Sequence, residues 1–119
     1  MAKSYGEMVQ EAKAETEQTD AETVHGALQA GEAVTVVDVR EPDEYDAGHI
    51  KGAKPIPRGL LEYKADEELP DKDARIVVHC AIGGRGALAA KALKEMGYTN
   101  VANMDGGMND WREKGYETE

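Results

Sequence analysis

The apolar positions fall in short blocks whose spacing changes along the chain. Residues 34–39 and 76–80 are runs rich in Val and Ile, and 101–104 is a shorter apolar block. Their β-branched content predicts buried strands. Helical spacing lies between them. Tyr5, Met8, Val9 and Ala12 recur at that period behind Ser4-Tyr5-Gly6-Glu7, which has the form of a capping box. A helix over 4–16 is expected, with a frayed tail as the alternative because 11–18 is polar. Thr19-Asp20-Ala21-Glu22 reads as another capping box, Val24, Ala27 and Leu28 as its apolar stripe, and Gly31 as its stop. Pro42 fits the first position of a short helix over 43–47. The turn at 48–53 leads to a short strand at 54–56. Residues 58–64 are expected to be a short helix with Leu60, Leu61 and Tyr63 partly inward. The polar stretch 65–73, with Pro70, reads as a surface loop. Leu88, Ala89, Ala92, Leu93 and Met96 make one face of a helix over 86–96, with Gly97 as its stop. After the turn Gly106-Gly107, a last helix over 108–114 carries Trp111, read as a core residue. Strands alternating with helices argue an α/β fold on a parallel sheet.

Composition narrows the function classes. A chain of 119 residues makes one ordinary domain, and 40% apolar residues suffice for a core that contains no phenylalanine. The net charge of −10, from 24 acids against 14 bases, argues against nucleic acid or an anionic membrane as partner. There is no long apolar run, and residues 1–7 lack the apolar core of a signal peptide, so a cytoplasmic protein is expected. A single cysteine cannot form an internal disulfide and would stay a free thiol in a reducing compartment. That cysteine and the histidines at 25, 49 and 79 show no ligand spacing, so no metal is expected. No dinucleotide or P-loop glycine pattern is present, and no cofactor is expected.

The chemistry gathers in Ile76-Val77-Val78-His79-Cys80-Ala81-Ile82-Gly83-Gly84-Arg85-Gly86. This reads as strand, glycine-rich loop, helix. Cys80 falls at the carboxyl end of the strand, where open α/β sheets place their ligands. A helix start supplies free N–H groups and the positive end of a dipole, which makes an anion site and favours a thiolate. Gly83, Gly84 and Gly86 let the backbone turn tightly and aim several N–H groups at one point. His79 should point away from the thiol, since neighbours on a strand face opposite ways, so a Cys–His pair is rejected.

Four residues separate Cys80 from Arg85. This resembles the active-site loop of the rhodanese family of sulfurtransferases. The related phosphatase cradle has one residue more between cysteine and arginine, which fits a larger tetrahedral phosphate. Val36-Val37-Asp38-Val39-Arg40-Glu41-Pro42-Asp43-Glu44-Tyr45, then Gly48-His49-Ile50-Lys51-Gly52-Ala53-Lys54-Pro55-Ile56-Pro57, resemble the first rhodanese signature and its continuation. Gly106-Gly107-Met108-Asn109-Asp110-Trp111 with Gly115-Tyr116 resembles the C-terminal one. Family loops often carry a small polar residue where Ile82 stands, and Ser or Thr where Gly86 stands; both departures remove side-chain donors from the cradle.

The resemblance covers roughly residues 19–117. It implies a rhodanese-like three-layer fold, with a five-stranded, mostly parallel sheet, helices on both faces, and a very short strand just before Thr19. The chain then divides into an N-terminal helical extension, 1–18, and the domain, 19–119. It further implies a sulfurtransferase in which Cys80 takes sulfane sulfur from a donor such as thiosulfate as a persulfide and passes it to cyanide or a cellular thiol. Arg85 would bind the donor's anionic end and stabilise the thiolate, with Ala81, Ile82, Gly83, Gly84 and Gly86 forming the cradle. Asp38 and Arg40 would orient neighbouring loops, or form a structural ion pair or cap. Arg40, Lys51 and Arg58 would add positive charge near the mouth, and His49 would buttress the fold. The alternative is a persulfide carrier that docks on a protein partner of a sulfur relay through Ile82. A small phosphatase is a third reading, opposed by the short loop.

Overall fold

The computed structural model describes residues 2–119. The sheet is built from β1 (Glu17–Thr19), β2 (Thr35–Asp38), β3 (Lys54–Pro55), β4 (Ile76–His79) and β5 (Val101–Met104), in the order β1-β5-β4-β2-β3. Every pairing is parallel. The central strands β2 and β4 carry Val and Ile on both faces because both faces are covered. Val37, Val78 and Cys80 join one core cluster and Val36 and Val77 the other, following the alternation of a strand.

The helices are α1 (Tyr5–Glu15), α2 (Ala21–Gln29), α3 (Pro42–Asp46), α4 (Leu61–Glu68), α5 (Gly84–Glu95) and α6 (Gly107–Glu113). One face of the sheet packs Leu61, Ala65, Ala89, Ala90 and Leu93 from α4 and α5. The other packs Ala21 and Val24 of α2 with Met108 and Trp111 of α6. This is the three-layer α/β arrangement expected from the sequence. Outside these layers, α1 lies along α5 and buries Ala12. Its Ser4–Glu7 capping box forms as read: Glu7 N donates to Ser4 Oγ at 3.1 Å and Ser4 N to Glu7 Oε1 at 3.0 Å. Lys91 and Glu15 tie the two helices at 3.0 Å.

Several elements depart from expectation. The cap of α2 is Asp20, whose Oδ1 accepts from Thr23 N at 2.8 Å; Thr19 is instead the last residue of β1, paired with Met104. Residues 58–64 are not one helix. A 3-10 turn at Arg58–Leu60 precedes α4, which continues through Glu68 into the stretch read as a surface loop. The reason is a stripe of Leu61, Ala65 and Leu69 at fourfold spacing, narrow enough to be masked by the acids between them. Tyr98 seals it, its hydroxyl donating to the carbonyls of Ala65 at 3.0 Å and Leu69 at 2.6 Å. Leu60 and Tyr63 point outward rather than partly inward. Helix α5 begins at Gly84, so Gly84, Arg85 and Gly86 form its first turn. Its most buried line is Gly86, Ala87, Ala89, Ala90 and Leu93, while Leu88 and Ala92 lie only half-buried.

Candidate active site

Strand β4 ends at His79, and Cys80 follows at the carboxyl edge of the sheet, almost wholly buried. The chain must turn there and enter α5. Its turn exposes amides on the inside because its carbonyls are held on the outside. Gly106 N donates to the Ile82 carbonyl at 3.1 Å, Met108 N to that of Cys80 at 2.9 Å, and Asn109 N to that of Ala81 at 3.0 Å. The start of α6 thus captures three successive loop carbonyls. Gly107, at φ +52°, makes the approach possible: a Cβ there would run into the carbonyl oxygens of Cys80 and Ala81.

With its carbonyls turned away, the loop aims N–H groups at sulfur. Gly83 N donates to Cys80 Sγ at 3.1 Å and Gly86 N at 3.2 Å. Both stabilise a thiolate more than a thiol, because the acceptor gains charge. Gly83 adopts φ +133°, and a Cβ there would lie 2.6 Å from Asp105 Oδ1. The amides of Gly84 and Arg85 are orphans of the first turn of α5 with no acceptor among the described residues. Ile82 stands at the mouth, 66% exposed, while Ala81 is half-buried. The arrangement is a buried sulfur nucleophile under a crown of amides, suited to a covalent sulfur adduct or a small anion.

Arg85 does not hydrogen-bond to sulfur. Its Nη1 and Nη2 donate to the two carboxylate oxygens of Glu44 at 2.7 and 3.2 Å, and this guanidinium holds the Glu44 carboxyl down at about 2. Arg40 and Asp38 form a buried bidentate pair, Nε to Oδ1 at 3.0 Å and Nη2 to Oδ2 at 2.8 Å; Arg40 Nη2 also donates to the Gly48 carbonyl at 2.8 Å. This pair fastens the end of β2 to the turn at Gly48, away from sulfur. Arg58 is held by Glu62 at 2.8 Å and makes no hydrogen bond to the cradle among the described residues. Lys51 is exposed on its turn. His49 stacks on Tyr45 with centroids 3.7 Å apart and its Nδ1 donates to the Tyr45 carbonyl at 2.9 Å, a buttress.

His79 lies on the opposite face of β4 from the sulfur, beside Asp38 at 3.8 Å. Its Nδ1 donates to the Cys80 carbonyl at 3.1 Å, and its buried Nε2 has no partner among the described residues. Burial pushes its pKa down, against the raising effect of Asp38.

Two residues near the cradle escape sequence reasoning. Glu44 lies within the first signature, and no local pattern announces a partner 41 residues away. Asn103 is fully buried on β5; its Nδ2 donates to Gln18 Oε1 at 2.9 Å and to the Gly83 carbonyl at 3.4 Å. A buried Asn on a core strand is the available signal, because such a group needs partners.

An open parallel α/β domain with a thiol cradled at the carboxyl end of a central strand defines the class. Residues 20–114 match the Rhodanese-like domain, and the chain belongs to that family. It is 38% identical over 74 residues to the thiosulfate sulfurtransferase PspE of Escherichia coli (strain K12), covering 62% of this chain and 70% of that one. It is 38% identical over 87 residues to YrkF of Bacillus subtilis (strain 168), provisionally named a sulfur carrier protein, covering 73% of this chain and 46% of the relative. The chain spans about half the length of the Bacillus subtilis relatives it matches, 46% of one and 59% of the other. A solved protein from Rhodopseudomonas palustris CGA009, described as a possible tyrosine phosphatase, superposes with a TM-score of 0.90 at 32% identity, covering 100% of this chain and 96% of that one. No helix among the described residues is long and apolar enough to cross a membrane.

Proposed function

We propose that this domain is a sulfurtransferase that carries sulfane sulfur as a Cys80 persulfide. The observation that supports it best is the pair of amides, Gly83 and Gly86, converging on Cys80 Sγ in a loop with only four residues between cysteine and arginine. The thiolate attacks the outer sulfur of a donor such as thiosulfate. A new S–S bond forms, the donor's S–S bond breaks, and sulfite leaves with the electron pair. The terminal sulfur of the persulfide then lies within reach of the orphan amides of Gly84 and Arg85. An acceptor nucleophile, cyanide or a thiol, attacks that sulfur and returns the thiolate. The two half-reactions share one intermediate, so the kinetics are ping-pong. No cofactor is required, because Cys80 itself carries the group. The name of the Escherichia coli relative fits this reading.

The test is intact mass after incubation with thiosulfate, beside Cys80→Ser. Gain of one sulfur by the parent chain alone, reversed by cyanide, is expected. A variant that gains sulfur equally would overturn the role of Cys80. A second reading, a carrier loaded and unloaded by a protein partner, is favoured by the exposed Ile82 at the mouth and by the name of the Bacillus subtilis relative. No gain from thiosulfate, with loading from a persulfidated protein, would favour it.

A further inference from the structure

Arg85 is the cation closest in sequence to the cradle, and it is already occupied. Both of its terminal nitrogens meet the Glu44 carboxylate, at 2.7 and 3.2 Å, and the two side chains are about one-third exposed (34% and 33%). The pair is end-on and bidentate, the geometry in which a guanidinium grips any carboxylate, sulfite or phosphate group. Glu44 is itself fixed from behind: its Oε1 accepts from Glu41 N at 2.9 Å in the capping box that starts α3. It is a rigid anion placed on the group that would otherwise take the anion of a substrate.

We infer that Glu44 determines donor specificity by acting as an internal anion on Arg85, so that small dianionic donors are disfavoured against donors that bring less charge. This rests on the sulfurtransferase reading and deepens it. With Glu44 in place, Arg85 and its partner sum to zero, and an arriving dianion meets the amides of Gly84 and Arg85 without a net cation. To engage the terminal nitrogens it must first displace a carboxylate that is pinned in place, or share the guanidinium at close range with it. On the other side of the cradle, Lys13 is likewise neutralised, by Asp105 at 2.9 Å. The chain as a whole, at −10, adds repulsion at longer range. Acidification does not release the clamp in any working range, because the Glu44 carboxyl is held at about 2.

The experiment measures thiosulfate binding by NMR shift titration to chains that cannot react, each carrying Cys80→Ser. Three are compared: that chain, the same with Glu44→Gln, and the same with Glu44→Gln and Arg85→Met. Gln keeps an oxygen for Glu41 N, so the cap of α3 survives the change. Glu44→Gln is expected to tighten binding about fivefold, the scale of a partly exposed ion pair, and Arg85→Met to abolish the gain. Unchanged or weaker binding by Glu44→Gln, or no binding by any of the three, overturns the inference; weaker binding would make Glu44 a positioning partner of Arg85. The outcomes separate cleanly from those of the mass experiment. A parent chain that gains no sulfur either from thiosulfate or from a persulfidated protein, while this affinity order holds, overturns the transfer reading alone. One that gains sulfur without the affinity order overturns the present inference alone.

Discussion

Gly86 and Asn103 are matched in shape: a Cβ built on Gly86 would run into Asn103 Oδ1 and come within 3.4 Å of Cys80 N. The same Oδ1 is buried with no hydrogen-bond partner among the described residues. Asn103 therefore fills the space that a side chain at position 86 would need. This gives a physical reason for the departure at Gly86 from the Ser or Thr common in family loops.

Gly86→Ser should consequently damage the cradle rather than improve it. Overpacking a rigid site costs about 1–3 kcal/mol, and here the displaced element is the helix turn whose amide binds sulfur. Gly86→Ser alone is expected to lower both the melting temperature and the rate of persulfide formation. Asn103→Ala in the same chain should restore part of both, because it opens the space. The check is a double-mutant cycle on thermal unfolding and on single-turnover sulfur loading. Additive losses would show that the two positions do not compete for space.

Gly107 carries the other side of the loop. Its φ of +52° disfavours an L side chain, and a Cβ would meet the Cys80 and Ala81 carbonyl oxygens. Gly107→Ala must push α6 away from those carbonyls, weakening the bonds from Met108 N and Asn109 N. A loss of about 2–5 kcal/mol in stability is expected, measured by urea denaturation. Amide exchange at Gly83 and Gly86 should speed up as well, since the loop would no longer be held amide-inward. Gly52→Ala is the control: its φ is +82°, yet nothing lies within 4 Å of its Cβ position, so it should cost only the backbone strain.

These two sites mark where the sequence stops being readable. Cys80, the glycines and the entry into α5 were legible because their chemistry is local: an apolar β-branched run, a turn, and a helix start within eleven residues. The capture of three loop carbonyls by residues 106–109 was not, since Gly106-Gly107 reads as an ordinary turn until the strands align. Arg85 lies in the first turn of α5, and its charge is engaged by a carboxylate from α3, which no spacing rule reaches. Arg58, which the resemblance brings near the mouth, pairs with Glu62 four residues on, at 2.8 Å. The helical stretch up to Glu68 was lost among acids because only Leu61, Ala65 and Leu69 face inward.

His79 makes stability depend on pH. It is fully buried, its Nδ1 donates to the Cys80 carbonyl, and its Nε2 lies bare 3.8 Å from Asp38. Burial lowers its pKa below 6.5, so in the folded chain it stays neutral where the unfolded chain binds a proton. The unfolded state then holds more protons below pH 6.5, and stability must rise with pH in that window. Asp38 and the hydrogen bond to the Cys80 carbonyl raise the pKa and temper the effect without reversing it, Arg40 lowers it further, and burial is the largest of the causes. The stability is fully present above the unfolded value and is lost as pH falls through 6.5 toward the folded value, by at most about 1.4 kcal/mol per pH unit. Glu44 titrates far lower, with a folded value near 2 against 4.5, so its own loss begins only around pH 4.5 and the two windows are separable. Unfolding by urea at pH 7.5, 6.5 and 5.5 should show the decline for the parent chain. His79→Gln retains a donor for the Cys80 carbonyl but cannot take up a proton; its stability should be lower at pH 7.5 and nearly flat across the series. A parent chain that is equally stable at pH 5.5 and 7.5 would mean that His79 takes up a proton as readily in the fold as in the unfolded chain, and greater stability at pH 5.5 would mean that it is protonated there and paired with Asp38.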